Sequence, residues 1–340
     1  MTDAAWETLS NQAVAATGLL YFLALLAHLV EWSSLRKVPA EVAVGVGAAD
    51  RGGVTVGERS AEVAADETAP DADARMRRTA LFARLGLVLT ALGAGVHAVG
   101  LVGRGMAADP NRVPWGNMYE FTLSGTFVVV VFYLVLYRRF SLAWMSPIVV
   151  GLALSFLMVA VIWLYEPVAP LAEALESYWL VIHVVAAVLA TGAFTLGGIT
   201  SAVYLLKERR PDQQTGWLAR VPELRVLDRV SYRIHAFAFP VWTFAVLITG
   251  PIWAHQAWSS YWNWDPKEVW AFITWVIYAA YLHARSTAGW KGRNAAILAL
   301  VGVATLWFNF IGINYFSSTS QHSYAAPVVE VWQEPATPSV

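Results

Sequence analysis

The chain is 340 residues long, 57% hydrophobic and only 14% charged, which leaves too little polar surface for a soluble globule of this size and points to a membrane. A formal net charge of −1 excludes a nucleic-acid footprint. With no cysteine, the chain itself has no disulfide, thiolate metal site or thiol redox chemistry, so any thiol chemistry belongs to a partner or a substrate.

Eight apolar segments follow in chain order, at 13–32, 81–102, 118–137, 142–164, 178–206, 232–254, 267–285 and 295–316. Each is near the ~20 residues needed to cross a bilayer core, and together they predict an all-α, polytopic helical bundle. The first opens on MTDAAWETLSNQ, acidic where a signal sequence is basic and followed by no small-residue cleavage site, so it is expected to stay as a helix. Of the 23 Lys and Arg, all but Arg104, Arg112 and Lys267 fall in the loops 33–80, 138–139, 207–233 and 285–293 or at the near end of the second helix. The positive-inside rule puts those loops in the cytoplasm and both termini outside. The expected organisation is an N-terminal helix to residue 32, a cytoplasmic, disordered linker over 33–80, a membrane domain over 81–325 and an external tail over 326–340.

The connection between the sixth and seventh segments, WAHQAWSSYWNWDPKEVW, packs Trp253, Trp258, Trp262, Trp264 and Trp270 into eighteen residues. An interfacial aromatic belt seldom concentrates five indoles in one connection. Five broad apolar faces, each with a single N–H donor, suit a planar, largely apolar ligand with a polar edge, and haem is the candidate. Asp265, Pro266 and Glu268 have a plainer role first, as N-cap, first helical residue and capping-box acid of the seventh helix, with Lys267 left to meet a propionate.

Of the seven histidines, His97, His183, His255 and His322 lie at or near the outer face on this topology, and His28, His235 and His283 toward the inner one. A histidine within a span is either satisfied neutral by one carbonyl or functional. His183, near the start of the fifth helix, and His322, beyond the eighth, share the face that carries the tryptophan segment, so two imidazoles reach an iron from opposite sides of a porphyrin lying on the indoles. His283 comes fifteen residues after Glu268, roughly 22 Å deeper, so one haem cannot touch both places. If it is a ligand, it serves a second, inner site whose other axial ligand comes from a partner. His28 and His235 read as packing. Asn117, Tyr119 and Glu120, at the outer start of the third helix, either line the external cavity or cap and anchor that helix. His97 is a candidate donor to a propionate or a ligand imidazole.

The segments WNWDPKEVWAFITWVIYAAYLHAR at 262–285, PWGNMYEF at 114–121, YWLVIHV at 178–184 and QHSYA at 321–325 resemble those of the CcsA or ResC family of cytochrome c biogenesis proteins, CcsB-type in actinobacteria, which carry the so-called WWD domain. The resemblance implies a plasma-membrane protein that binds haem b and works with a ResB-type membrane subunit. It would move haem from the cytoplasmic side to the outside and join it to the Cys-x-x-Cys-His segment of apocytochrome c. It implies His183 and His322 as external axial ligands flanking the extracytoplasmic WWD segment 250–270, and His283 as the intramembrane ligand whose opposite number the partner supplies. Members usually have glycine where this chain has Ser259, and His255 is an additional external histidine. Attachment adds two reduced cysteine thiols across the haem vinyl groups, so a thioredoxin-like reductase is the implied third partner.

Two other readings compete. A haem carrier or exporter that hands haem to a separate ligase uses the same tryptophans and histidines. A solute permease is favoured by internal repeats with broken helices, and no such repeat is visible.

Overall fold

In a computed structural model, residues 1–34, 69–170, 176–210, 217–287, 289–317 and 319–322 are described. They form α1 (Asp3–Ser34), α2 (Ala69–Met106), α3 (Met118–Leu136), α4 (Ser146–Trp163, entered through a short 3₁₀ turn), α5 (Tyr178–Glu208), α6 (Leu224–Trp258), α7 (Pro266–Ser286) and α8 (Arg293–Phe316), with no strand among the described residues. Apolar chain in lipid has to satisfy its backbone within each segment, and the helix does so. Seven of these helices, all but α7, are long and apolar enough to span a membrane. Helix α7, at 21 residues, is long enough too, but it is rich in Trp and Tyr and buries Thr274, Tyr278 and Tyr281 against its neighbours.

The helices run past the limits expected from hydropathy where their polar ends lie outside the apolar run. Helix α1 begins at Asp3 rather than near residue 13, and α2 takes in residues 69–80, which the sequence reading assigned to a disordered linker. The rest of that linker, from 35 to 68, and the tail from 323 lie outside the described residues.

Helices α1 to α4 share one buried core, a second joins α5 to α8 and takes in Tyr133 of α3 and Val149 of α4, and α3 packs on α5. The α1–α2 pair is close because α2 turns Gly86, Gly93 and Gly100 toward α1. A Cβ on Gly86 would sit 2.5 Å from the His28 ring, and one on Gly93 2.6 Å from the Tyr21 ring. Small residues at this spacing let helix backbones approach where lipid supplies no hydrophobic drive. His28 is thereby buried on α1, where it also meets Glu31 at 3.3 Å, and Glu31 pairs with Arg220. Buried His235 donates from Nδ1 to the Ser231 carbonyl at 2.7 Å. Both rings are packed in the interior with Nδ1 engaged, and both leave a buried Nε2 without a hydrogen-bond partner.

Helix α6 changes register. Pro240 lies inside its α-helical part, and Phe244–Thr249 winds as a π turn before Gly250 and Pro251 restart the α form. Pro251 has no N–H for the carbonyl four residues back, so an irregular turn just before it leaves fewer broken bonds. The Thr249 hydroxyl donates to the Ala245 carbonyl at 3.1 Å, and the same oxygen accepts from another helix. Ser259 ends α6 at φ 57°, in the left-handed conformation that favours glycine.

Candidate functional site

His183 sits one turn into α5, whose start is capped by Ser177, and its Nδ1 donates to the Ala245 carbonyl at 2.9 Å. A carbonyl only accepts, so the proton is on Nδ1 and the lone pair is on Nε2. His322, beyond the end of α8, makes the corresponding contact from Nδ1 to Asp265 Oδ1 at 3.1 Å. There the carboxylate takes the bond from Nδ1, and Nε2 is the ring nitrogen not spent on it.

The buried Trp253 indole contacts both rings. It is nearly parallel to the His183 ring at 5.9 Å and edge-on to the His322 ring at 5.5 Å. Trp258 buttresses both, 4.8 Å from Trp253 and 4.7 Å from His322. Both histidines line one cavity of about 550 Å³ enclosed by α3, α4, α5, α6, α7 and α8, a volume within the range of small-molecule and cofactor sites. Its walls are mostly apolar and aromatic, with Phe121, Phe156, Trp242 and Trp307 among them, and it runs along α5 from Leu180 to Ile199.

Asp265 does two jobs with one carboxylate. Its Oδ1 accepts from the Lys267 amide at 2.8 Å, and Glu268 closes the capping box that starts α7. It also accepts from the Ser320 hydroxyl at 2.8 Å, from the Gln321 amide at 2.6 Å and from His322. Burial alone raises its pKa, but the His322 imidazole, the Lys267 amide and the Ser320 hydroxyl hold the carboxyl well below the usual carboxylate range. Lys267 lines the cavity with its ammonium held by Asn314 Oδ1 at 2.7 Å and by the His322 carbonyl at 3.3 Å.

The five tryptophans do not make one floor. Trp253 and Trp262 line the cavity, and Trp258 supports from behind. Trp264 is 76% exposed at a positive φ of 57°, edge-on to Trp262, and Trp270 packs on Phe308 of α8 at 4.3 Å. Trp253 and Trp258 lie on α6, Trp262 and Trp264 on the loop that follows and Trp270 on α7, so the rings share no common face, and residue 270 faces where the pitch of α7 directs it.

The other candidates separate from this site. Asn117 caps α3 by accepting from the Glu120 amide at 2.9 Å, and Glu120 is locked between Arg104 at 2.9 Å and Arg112 at 2.6 Å. Tyr119 lies under the Arg104 guanidinium, 5.1 Å from ring centre to carbon. The helical period puts Tyr119 and Glu120 on the face away from the cavity, while Met118, Phe121 and Thr122 line it. His97 is buried against Tyr21 and Phe127, 3.4 Å from the Tyr21 hydroxyl, and does not reach the cavity. His255 stacks on Tyr261 at 4.3 Å and is exposed. His283 is exposed on α7 near its far end. What the sequence reading missed are the walls, Phe156 and Trp307 above all, because lipid-facing and cavity-facing apolar residues look alike in a sequence.

The family model described as cytochrome C assembly protein matches residues 115–320. The cytochrome c biogenesis protein CcsA of Mesostigma viride is 31% identical over 241 residues, spanning 64% of this chain and 78% of that protein. The CcsA of Chlamydomonas reinhardtii is 38% identical over 163 residues, 47% of this chain but only 44% of that longer protein. Among solved structures, one titled cytochrome c heme lyase CcmF has a similar fold, with a TM-score of 0.54 at 16% identity, covering 92% of this chain and 49% of that one.

Proposed function

Because this chain belongs to the CcsA family of cytochrome c assembly proteins, we propose that it is the haem-binding membrane subunit of a cytochrome c synthase, holding haem b between His183 and His322 on the outer face of the plasma membrane. One observation carries the reading. Two imidazoles, each with Nδ1 engaged by an acceptor and Nε2 not spent on it, line the same aromatic cavity, and both rings contact the Trp253 indole. Two nitrogen donors beside a planar apolar wall suit a bis-imidazole porphyrin.

On this reading haem is the substrate, and the chain's part is positioning. His183 and His322 take the iron, Trp253 and Trp262 take the porphyrin face, and the ammonium of Lys267 meets a propionate. Each reduced cysteine of apocytochrome c then adds its S–H across a vinyl C=C, sulfur to one carbon and hydrogen to the other, with no net oxidation. Holding the reactants together in this way contributes ~7–11 kcal/mol in favourable systems. A ResB-type subunit supplies the ligand opposite His283 at an inner site, where haem enters from the cytoplasmic side. A thioredoxin-like protein keeps the substrate cysteines reduced. Exposure of His283 on α7 supports a ligand completed by another chain.

The test is the absorption spectrum and haem content of the detergent-purified chain with its partner, wild type against the His183→Ala, His322→Ala double variant that keeps His283. Low-spin haem in wild type, lost or altered in the variant and restored by imidazole, is expected. Unchanged haem in the variant overturns the site. Co-expression with the ResB-type subunit alone separates a synthase, which gives covalent cytochrome c, from a carrier, which gives bound haem and no thioether.

A further inference from the structure

The two candidate ligands are held by acceptors of different charge. His183 Nδ1 donates to a neutral carbonyl, that of Ala245, at 2.9 Å, and this oxygen is shared with the Thr249 hydroxyl. His322 Nδ1 donates to the carboxylate of Asp265 at 3.1 Å. Capping α7 does not require an acid there, since Asn or Ser starts a helix as well. What distinguishes Asp265 is that three of its four bonds go to a segment more than fifty residues away, to Ser320 at 2.8 Å, to the Gln321 amide at 2.6 Å and to His322. Oδ1 accepts from Lys267, Ser320 and His322 and Oδ2 from Gln321, so one carboxylate holds the cap and the docked segment at once, whereas the NH2 of an amide could not accept in the place of Oδ2. The residue is 5% exposed and sits at a helix N-terminus, where a negative charge is favoured.

From this asymmetry, and resting on the haem reading above, we propose that Asp265 is a positioning residue that makes His322 the retained ligand and leaves His183 as the ligand exchanged for the histidine of the incoming Cys-x-x-Cys-His segment. A carboxylate behind an imidazole raises its basicity and fixes its orientation, whereas a neutral carbonyl shared with a hydroxyl does so less. Of two otherwise equal imidazoles the second leaves first. Exchange moves one nitrogen lone pair off the iron and another on, with no change in oxidation state. Freed from iron, the His183 ring keeps its bond to Ala245 and its stacking on Trp253, so its release needs no refolding of α5.

The test uses the chain with its partner, loaded with haem. Asp265→Asn and Asp265→Ser both remove the carboxylate and keep a good N-cap. Ser320→Ala removes one docking bond and keeps the charge. Loss of the carboxylate is expected to weaken haem retention by about 10- to 100-fold and to raise the midpoint potential, with little change in Ser320→Ala. Carbon monoxide added to the ferrous protein takes the place of the weaker ligand. Its C–O stretch is therefore expected to move in Asp265→Asn, because His322 is the ligand opposite. A stretch, potential and retention that match wild type in both Asp265 variants overturn the proposal. Haem unaffected by removal of both histidines is a different failure, that of the site itself.

Discussion

Two clusters of polar side chains lie toward the same end of the helix bundle, and their bonding differs. In the first group of helices, Arg104, Glu120, Arg112 and Glu7 form a closed set. Glu120 takes both guanidinium groups and the Gly116 amide, and Arg104 adds the Glu166 carbonyl and a contact to Glu7. In the second group, His183 and His322 each spend one nitrogen on an acceptor and present the other at a cavity wall. A buried charge needs partners to persist, so a cluster that answers all its own charges is structural. A cluster whose donors are aligned but whose acceptor nitrogens face an open volume is arranged for something else. By sequence alone the Asn117 to Glu120 stretch either lines the external cavity or caps its helix, and bonding tells the two clusters apart.

The largest effect should come from breaking the closed cluster. Arg104→Ala takes from Glu120 the fully buried one of its two guanidinium partners and leaves Arg112, so the cost is below the roughly 3–5 kcal/mol of a fully uncompensated buried charge but still large. A steep loss of thermal stability in detergent is expected, and an unchanged unfolding temperature would mean that the cluster does not hold this end of the bundle. Next is Gly197→Ala, whose Cβ would fall 2.4 Å from the buried His235 ring, with overpacking of about 1–3 kcal/mol. Adding His235→Ala should restore the folded yield, and failure to do so refutes His235 as a packing residue.

His97→Ala sharpens the comparison from the other side. The ring is enclosed by Tyr21 and Phe127 and lies off the cavity, so the variant should lose about 1–3 kcal/mol of stability while the haem spectrum and thioether yield per folded protein stay as in wild type. A selective fall in thioether yield would restore His97 to the site. The smallest effect is a gain. Ser259→Gly relieves a left-handed residue at the end of α6 and should add about 1 kcal/mol, read as a raised unfolding temperature.

Much of the fold was legible because lipid allows few solutions. Every apolar run of the required length became a helix, and the edges moved only where polar residues continue a turn, as at Asp3 and Ala69. Asp265, Pro266 and Glu268 were readable as the start of α7 because capping is local chemistry. The second duty of Asp265 was not, since Ser320, Gln321 and His322 come to it only through the packing of α8 on α7. The motif around Asn117 to Glu120 was read with two possible roles, and only the rotation of α3 in the bundle chose between them. The same holds for the five tryptophans, equal in the sequence and unequal in the fold.

Composition and hydrophobic runs by themselves determined a bundle of membrane helices, because backbone hydrogen bonding in lipid is satisfied within each segment and needs no knowledge of neighbours. The motifs determined the family. Tertiary structure decided which polar groups were spent and which were left open: whether an imidazole or a carboxylate finds its partner depends on side chains far apart in sequence, and a helix face acquires a meaning only from what is packed against it.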